Sequence, residues 1–202
     1  VIPNVWTRLG IRFTPLSDGK VNLILMGKFL PDSNGKNKYL PTYWDSAACE
    51  GANIANPDFE ELDGQGSVKN WMKSSATDPA TDAMSVSDMR FVKSGVHSIR
   101  AWHNSNFSQI IDVKAGIPVT VYVWAYVDNP SLPHTVQVDI SSAANMGLSD
   151  SVAEDNKGGW TDQGKANDLS SLPKGVRSFA NVPFLISEGD KSSIVLNGFA
   201  RP

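Results

Sequence analysis

The chain has 202 residues, of which 41% are hydrophobic and 19% charged, with a formal net charge of −3. That length buries on the order of 70% of the unfolded surface in one large domain, so a core needs neither a metal nor a disulfide framework. The acidic balance, with a pI near 5.6 and no basic stripe, argues against nucleic acid as a partner, and no apolar run approaches the roughly 20 residues that span a bilayer. With 16 Gly, 12 Pro and few helix-forming stretches, the composition predicts an all-β fold. Cys49 stands alone, which excludes an internal disulfide and suits a small buried residue.

In chain order, Ile11–Pro15 and Val21–Lys28 read as two strands of a hairpin around Ser17-Asp18-Gly19-Lys20, since Asp-Gly supplies the positive φ of a tight turn. Pro31–Lys38 is a polar loop. Tyr39–Cys49 reads as a short strand and Gly51–Glu61 as another that ends in a loop. Asp63–Asp88 has no sustained period and is expected to be a long loop with weak pieces of structure, interrupted by Trp71 and Met72. Three strands follow, near Val96–His103, Ser108–Val113 and Val119–Tyr126, the last two separated by Lys114-Ala115-Gly116. Asp128–Pro133 looks like a connector. Beyond it come a strand at Thr135–Ile140, a Gly- and Asp-rich stretch at Asn145–Asn167, and strands at Val176–Ile186 and Ile194–Phe199. Residues 129–202 make a small unit, expected to pack on the first domain, continue in a longer parent protein, or be completed by another chain.

The most informative stretch runs from Gly95 to Val127. Alternate side chains of a strand point to opposite faces, so Val119, Val121, Val123, Ala125 and Val127 form a core face, and Thr120, Tyr122, Trp124 and Tyr126 the other. In Val96–His103, Val96, Ser98, Arg100 and Trp102 share one face. If these strands are neighbours, Arg100, Trp102, Tyr122, Trp124 and Tyr126 form one polar aromatic surface, with His103, Asn104 and Asn106 as its polar rim and Trp71 contributed by the long loop. The apolar C–H faces of pyranose rings stack on such rings, and their hydroxyls suit Arg, Asn and Tyr. The same aromatics equally suit a packed core.

Two stretches carry a family resemblance. Trp6–Gly27, WTRLGIRFTPLSDGKVNLILMG, resembles the late strands of galactose-binding-like jelly rolls, the fold of many carbohydrate-binding modules of secreted polysaccharide-degrading enzymes. Ala52–Glu61, ANIANPDFEE, resembles their opening strand, and SGVHSIRAWHN with SQIIDVKAGIPVTVYVWAYV their middle strands. The late pattern precedes the opening one, so the resemblance implies either a module junction or a permuted single sandwich over residues 1–128. Residues 158–186 also resemble accessory β domains of bacterial polysaccharide-degrading enzymes.

The resemblance further implies a structural calcium, for which the matching positions are Asp45 in YWDS and Glu60 in NPDFEE. Ordinary surface acids explain both equally well. Asp150, Glu154, Asp155, Asp162 and Asp168 lack the EF-hand spacing, and a solvated loop is the expected reading. Nucleophile-elbow, zinc-protease, phosphate-loop and dinucleotide motifs do not occur. His97 and His103 would stand about 20 Å apart along one strand, too far for one metal, and His134 lies elsewhere.

The sequence therefore predicts an antiparallel β-sandwich of jelly-roll type over residues 1–128 with an additional, incomplete C-terminal β unit over 129–202. The expected function is non-catalytic carbohydrate binding as an accessory module of a secreted or cell-surface bacterial protein acting on polysaccharide. Its partners are expected to be a polysaccharide or oligosaccharide and other modules of a parent protein. The alternative is a structural or adhesive β-rich subunit that assembles through unpaired strand edges.

Overall fold

The computed structural model describes residues 4–15, 18–27, 32–36 and 38–128, together with the backbone of four later strands. Eight strands precede residue 128: β1 (Thr7–Pro15), β2 (Gly19–Met26), β3 (Thr42–Glu50), β4 (Met72–Lys73), β5 (Met84–Val86), β6 (Ser98–Ala101), β7 (Phe107–Val113) and β8 (Val119–Tyr126). The later strands are β9 (Val136–Ser142), β10 (Asp150–Ala153), β11 (Asn181–Phe184) and β12 (Ser192–Gly198). They form two sheets, β11-β1-β8-β3-β6-β5 and β10-β9-β12-β2-β7-β4.

Up to β8 every pairing is antiparallel. The pairs β1 with β8, β2 with β7 and β3 with β6 nest inside one another, as in a hairpin folded over twice, which is the jelly-roll arrangement of a β-sandwich. Strands taken in chain order already close it. The pair that would complete the nest, β4 with β5, is not made, and β5 adds to β6 instead. The later strands extend the same two sheets. β11 runs parallel to β1, and β12 parallel to β2 and antiparallel to β9.

Alternation sets which faces meet. Val119, Val121, Val123 and Ala125 of β8 point inward with Leu9, Trp44 and Ile99, against Val21, Leu23, Leu25, Phe107 and Ile111 of the other sheet. Burial of each such aliphatic side chain is worth about 1.5–3 kcal/mol before the cost of ordering it.

Both strands of the expected hairpin form, but they do not pair with each other. β1 lies beside β8 and β2 beside β7, in opposite sheets. Leu9 of β1 and Val21, Leu23 and Leu25 of β2 are all buried in the one core, which they enter from opposite sheets. The connection at Asp18 therefore crosses the sandwich edge. It lies beside the crossing from β7 to β8, where Asp18 accepts from the Ala115 amide at 2.9 Å and from Lys114 at 2.8 Å, and the Gly116 amide donates to Pro15 at 2.8 Å.

Gly51–Glu61 is not the expected strand. Asn56 and Phe59 sit at φ 48° and 61°, in the left-handed region, which folds the segment into consecutive turns. Asn56 holds them together, donating to the Glu61 and Lys69 carbonyls and accepting from the Glu61 amide. β6 is shorter than Val96–His103 because Glu60 takes the Val96 and His97 amides before it starts, and the Trp102–Ser105 turn follows its end. The long segment at 63–88 holds β4, β5 and a single 3-10 turn at Pro79–Thr81. Parts of the expected elements lie outside the described residues, among them Lys28, most of Asp128–Pro133, His134, Trp160 and most of the acidic stretch between Asp150 and Asp168.

An aromatic outer face as candidate functional site

β3 lies between β8 and β6, so the two strands expected to be neighbours are not adjacent. The register carries a row across the outer face of the first sheet nonetheless, Tyr126 opposite Tyr43 and Tyr43 opposite Arg100. One row along, Trp124 stands between Arg8 and Asp45, and in the next Tyr122 stands between Gly10 and Ala48. Ser46, at φ 51°, makes the bulge between Asp45 and Ala48 that separates these rows on β3.

The rings on this face touch. Trp6 packs on Tyr126 with centroids 5.4 Å apart, and Phe91 lies on Tyr43 at 4.1 Å and meets Tyr126 at 5.8 Å. The Tyr126 hydroxyl donates to Asn4 Oδ1 at 3.3 Å. Trp6, Trp124 and Tyr126 remain partly exposed, whereas Tyr43 and Tyr122 are buried. Burial, then the negative charge of Asp128, pushes the Tyr43 phenol up to about 12, which keeps it neutral. The Arg8 guanidinium lies 4.1 Å from the Tyr122 ring centroid and the Lys93 ammonium 4.6 Å from that of Trp124.

Phe91 and Lys93 reach the face from the loop between β5 and β6, which two carboxylates hold in place. Asp45 Oδ2 accepts from the Lys93 and Ser94 amides at 2.6 and 3.1 Å, and Oδ1 from the Ser46 hydroxyl at 3.1 Å. Glu60 Oε1 accepts from the Val96 and His97 amides at 2.9 and 3.0 Å, with His97 Nδ1 3.2 Å from Oε2. At Gly95, φ +70°, a Cβ would run into the Glu60 carboxylate, so the loop's path requires glycine there. Full burial raises the Asp45 pKa, an effect the amides of Ser94 and Lys93 only partly offset. For Glu60 partial burial works in the same direction but is outweighed by the two amides and His97, and its pKa is lowered.

These are the residues at which the family resemblance implies calcium. Calcium needs several oxygen ligands around one point, but both carboxylates are committed to amide and hydroxyl donors of this loop, and no group of three His, Cys, Asp or Glu side chains converges among the described residues. The arrangement does not fit a shared calcium.

The other expected contacts fall elsewhere. Trp71 is a core residue, 6% exposed, packed on Phe59 at 5.2 Å with Nε1 donating to the Asn56 carbonyl at 3.0 Å. Its indole is the apolar lid over the turns at 56–61, which is why it interrupts a polar stretch. Trp102, also 6% exposed, ends β6 under the edge of Tyr39 at 5.0 Å. His103 and Asn104 lie in the turn after it, where burial lowers the His103 pKa. Arg100 donates to the Asp82 carbonyl at 3.1 Å and so secures the turn at 79–82. The expected set thus divides into Tyr122, Trp124, Tyr126 and, by register, Arg100 on the outer face, Trp102, His103 and Asn104 just past the end of β6, and Trp71 inside. Trp6, Arg8, Tyr43, Phe91 and Lys93 were missed. Tyr43 and Arg8 were legible as the outward positions of their strands, whereas Phe91 and Lys93 reach the face only through the amide latches.

Fold and site together define an all-β sandwich with an aromatic, cation-bearing outer face. Compared with protein-family models, with curated proteins and with solved structures, the chain gives no match in any of the three.

Proposed function

We propose that this chain is a non-catalytic carbohydrate-binding domain that serves as an accessory module of a secreted or cell-surface polysaccharide-active protein. The observation that carries the reading is the set of partly exposed rings Trp6, Trp124 and Tyr126 on one face of the first sheet. A sheet holds such rings at fixed spacing, which suits a run of pyranose rings that stack by their C–H faces. Affinity at one such face is modest and is raised by tethering to a catalytic partner. Two carboxylates beside it are otherwise engaged, Asp45 by loop amides and Asp88 by Arg90 at 2.6 Å, which favours binding over a two-carboxylate glycosidase built on them. Affinity electrophoresis in a panel of polysaccharides tests this. Retardation that Trp124→Ala reduces by about tenfold, with the melting temperature preserved, supports the reading; retardation unchanged in Trp6→Ala and Trp124→Ala removes this face from it.

One observation favours assembly as a second reading. β4 covers β7 only at Phe107 and Ser108, and beyond them a groove of about 670 Å³ runs between Gly51–Ala55 and Ile110–Asp112, with Ile110 and Met72 about half exposed. An open strand edge invites another strand. A mass by light scattering that rises with concentration supports this reading, and a constant monomer removes it.

A further inference from the structure

On the outer face, Arg8 and Lys93 are placed over rings and, among the described residues, have no ion-pair partner. Arg8 lies over Tyr122 and Lys93 over Trp124, and these rings occur two residues apart on the same face of β8, about 7 Å along the strand. Neither cation forms an ion pair with a described residue, although Lys20, Lys69, Lys73, Arg90 and Lys114 each do. The carboxylates of this face are withheld from them. Asp45, opposite Trp124, is fully buried and turned to the loop amides; Asp88 pairs with Arg90, and neither Glu50, opposite Thr120, nor Asp128, two residues after Tyr126, forms an ion pair with Arg8 or Lys93.

From this we propose that the face selects an acidic saccharide, one bearing uronate carboxylates or sulfate esters. The proposal rests on the carbohydrate-binding reading and names the class of its ligand. A ring–cation contact holds each long side chain in place before the ligand arrives, so less conformational entropy is lost on binding. The guanidinium keeps its fork of N–H donors and the ammonium its three, both suited to carboxylate and sulfate oxygens. A sugar stacked on Trp124 brings its anionic substituent to Lys93, and its neighbour brings one to Arg8. In a chain of net charge −3, such a local positive site distinguishes acidic from neutral glycans by electrostatic complementarity.

The test is affinity electrophoresis of the full chain in three pairs of gels. These contain polygalacturonate or its carboxyl-reduced form, alginate or its carboxyl-reduced form, and a sulfated galactan or its desulfated form. At about 0.05 M salt the expected result is binding about tenfold tighter to the acidic member of at least one pair, weakening toward about 0.5 M as the charges are screened. The pair that shows it separates carboxylate from sulfate. The double variant Arg8→Gln, Lys93→Gln, which keeps side chains of similar length, removes the preference while its melting temperature stays within about 3 °C. Equal binding to both members of every pair, lost in Trp124→Ala but unaffected in the double variant, overturns the acidic preference and leaves the sugar-binding reading standing. A preference that persists in the double variant overturns the assignment to Arg8 and Lys93, and no binding to any polymer overturns both readings.

Discussion

The ring of Phe91 lies flat on that of Tyr43, with centroids 4.1 Å and planes 5° apart. Tyr43 belongs to the sheet and Phe91 to the loop before β6, so this stack closes the loop onto the face. Phe91→Ala removes the ring but not the latches at Asp45 and Glu60. The expected outcome is a loss of about 1–3 kcal/mol in urea unfolding, from the ring pair and its buried area together. Phe91→Tyr retains the stack and is expected to cost less than about 1 kcal/mol.

The latches predict how the fold responds to a chelator. Because loop amides satisfy Asp45 and Glu60, excess EDTA is expected to leave the thermal midpoint unchanged. Asp45→Ala strips the Lys93 and Ser94 amides of their acceptor and is expected to cost about 2–4 kcal/mol. A midpoint that falls on chelation and recovers with calcium would overturn this account.

Acid unfolding has a named contributor in Asp82. Partial burial works to raise its pKa, but Lys73 at 2.7 Å, the Ala76 amide at 2.8 Å and the Ser105 hydroxyl at 2.8 Å outweigh it and hold the carboxyl at about 2 against an ordinary 3.8. A depressed carboxylate pKa contributes stability that is complete above the unfolded value and is lost as pH falls through the folded one. The contribution, up to about 2 kcal/mol, is therefore present at neutral pH and lost between about pH 4 and 2. Asp82→Asn is expected to lower stability at pH 7 and to flatten the profile in that window. Asp45 acts with the opposite sign, since its pKa is raised by burial, and its protonation favours the fold as pH falls. Chemical denaturation from pH 7 to 2 measures both slopes.

Asn56 is the strongest single anchor of the turns that replaced the expected strand. Its side chain makes hydrogen bonds at 2.9, 3.0 and 3.0 Å, and its backbone sits at φ 48°. Asn56→Ala is expected to cost about 2–4 kcal/mol, from buried groups left unpaired and a left-handed residue that Asn tolerates better. Asn56→Gly relieves the backbone but not the lost bonds, so its cost is expected to lie below that of alanine. Equal costs in urea titration would locate the whole effect in the hydrogen bonds.

Much of the fold was legible because period-2 alternation is a local signal. Val119–Tyr126, Ser108–Val113 and Val21–Lys28 were readable as strands, and their inward faces are the core. Alternation says which side chains share a face but not which strand lies beside which, so β3 between β8 and β6 had no local trace. The turn at Asp18 likewise reads as a hairpin in isolation and is a crossing because its two strands enter the core from opposite sheets.

The same division holds at the site. By itself the sequence determined the all-β class, the strand faces, and the outward row Tyr122, Trp124 and Tyr126 on β8, because strand geometry imposes these residue by residue. Only the tertiary structure decided that Trp71 is core, that Arg100 is spent on a turn, and that Phe91 and Lys93 join the face. Each of those outcomes depends on contacts between residues far apart in the chain, such as Asp45 with the Lys93 and Ser94 amides, and no local pattern encodes which distant donor a carboxylate meets.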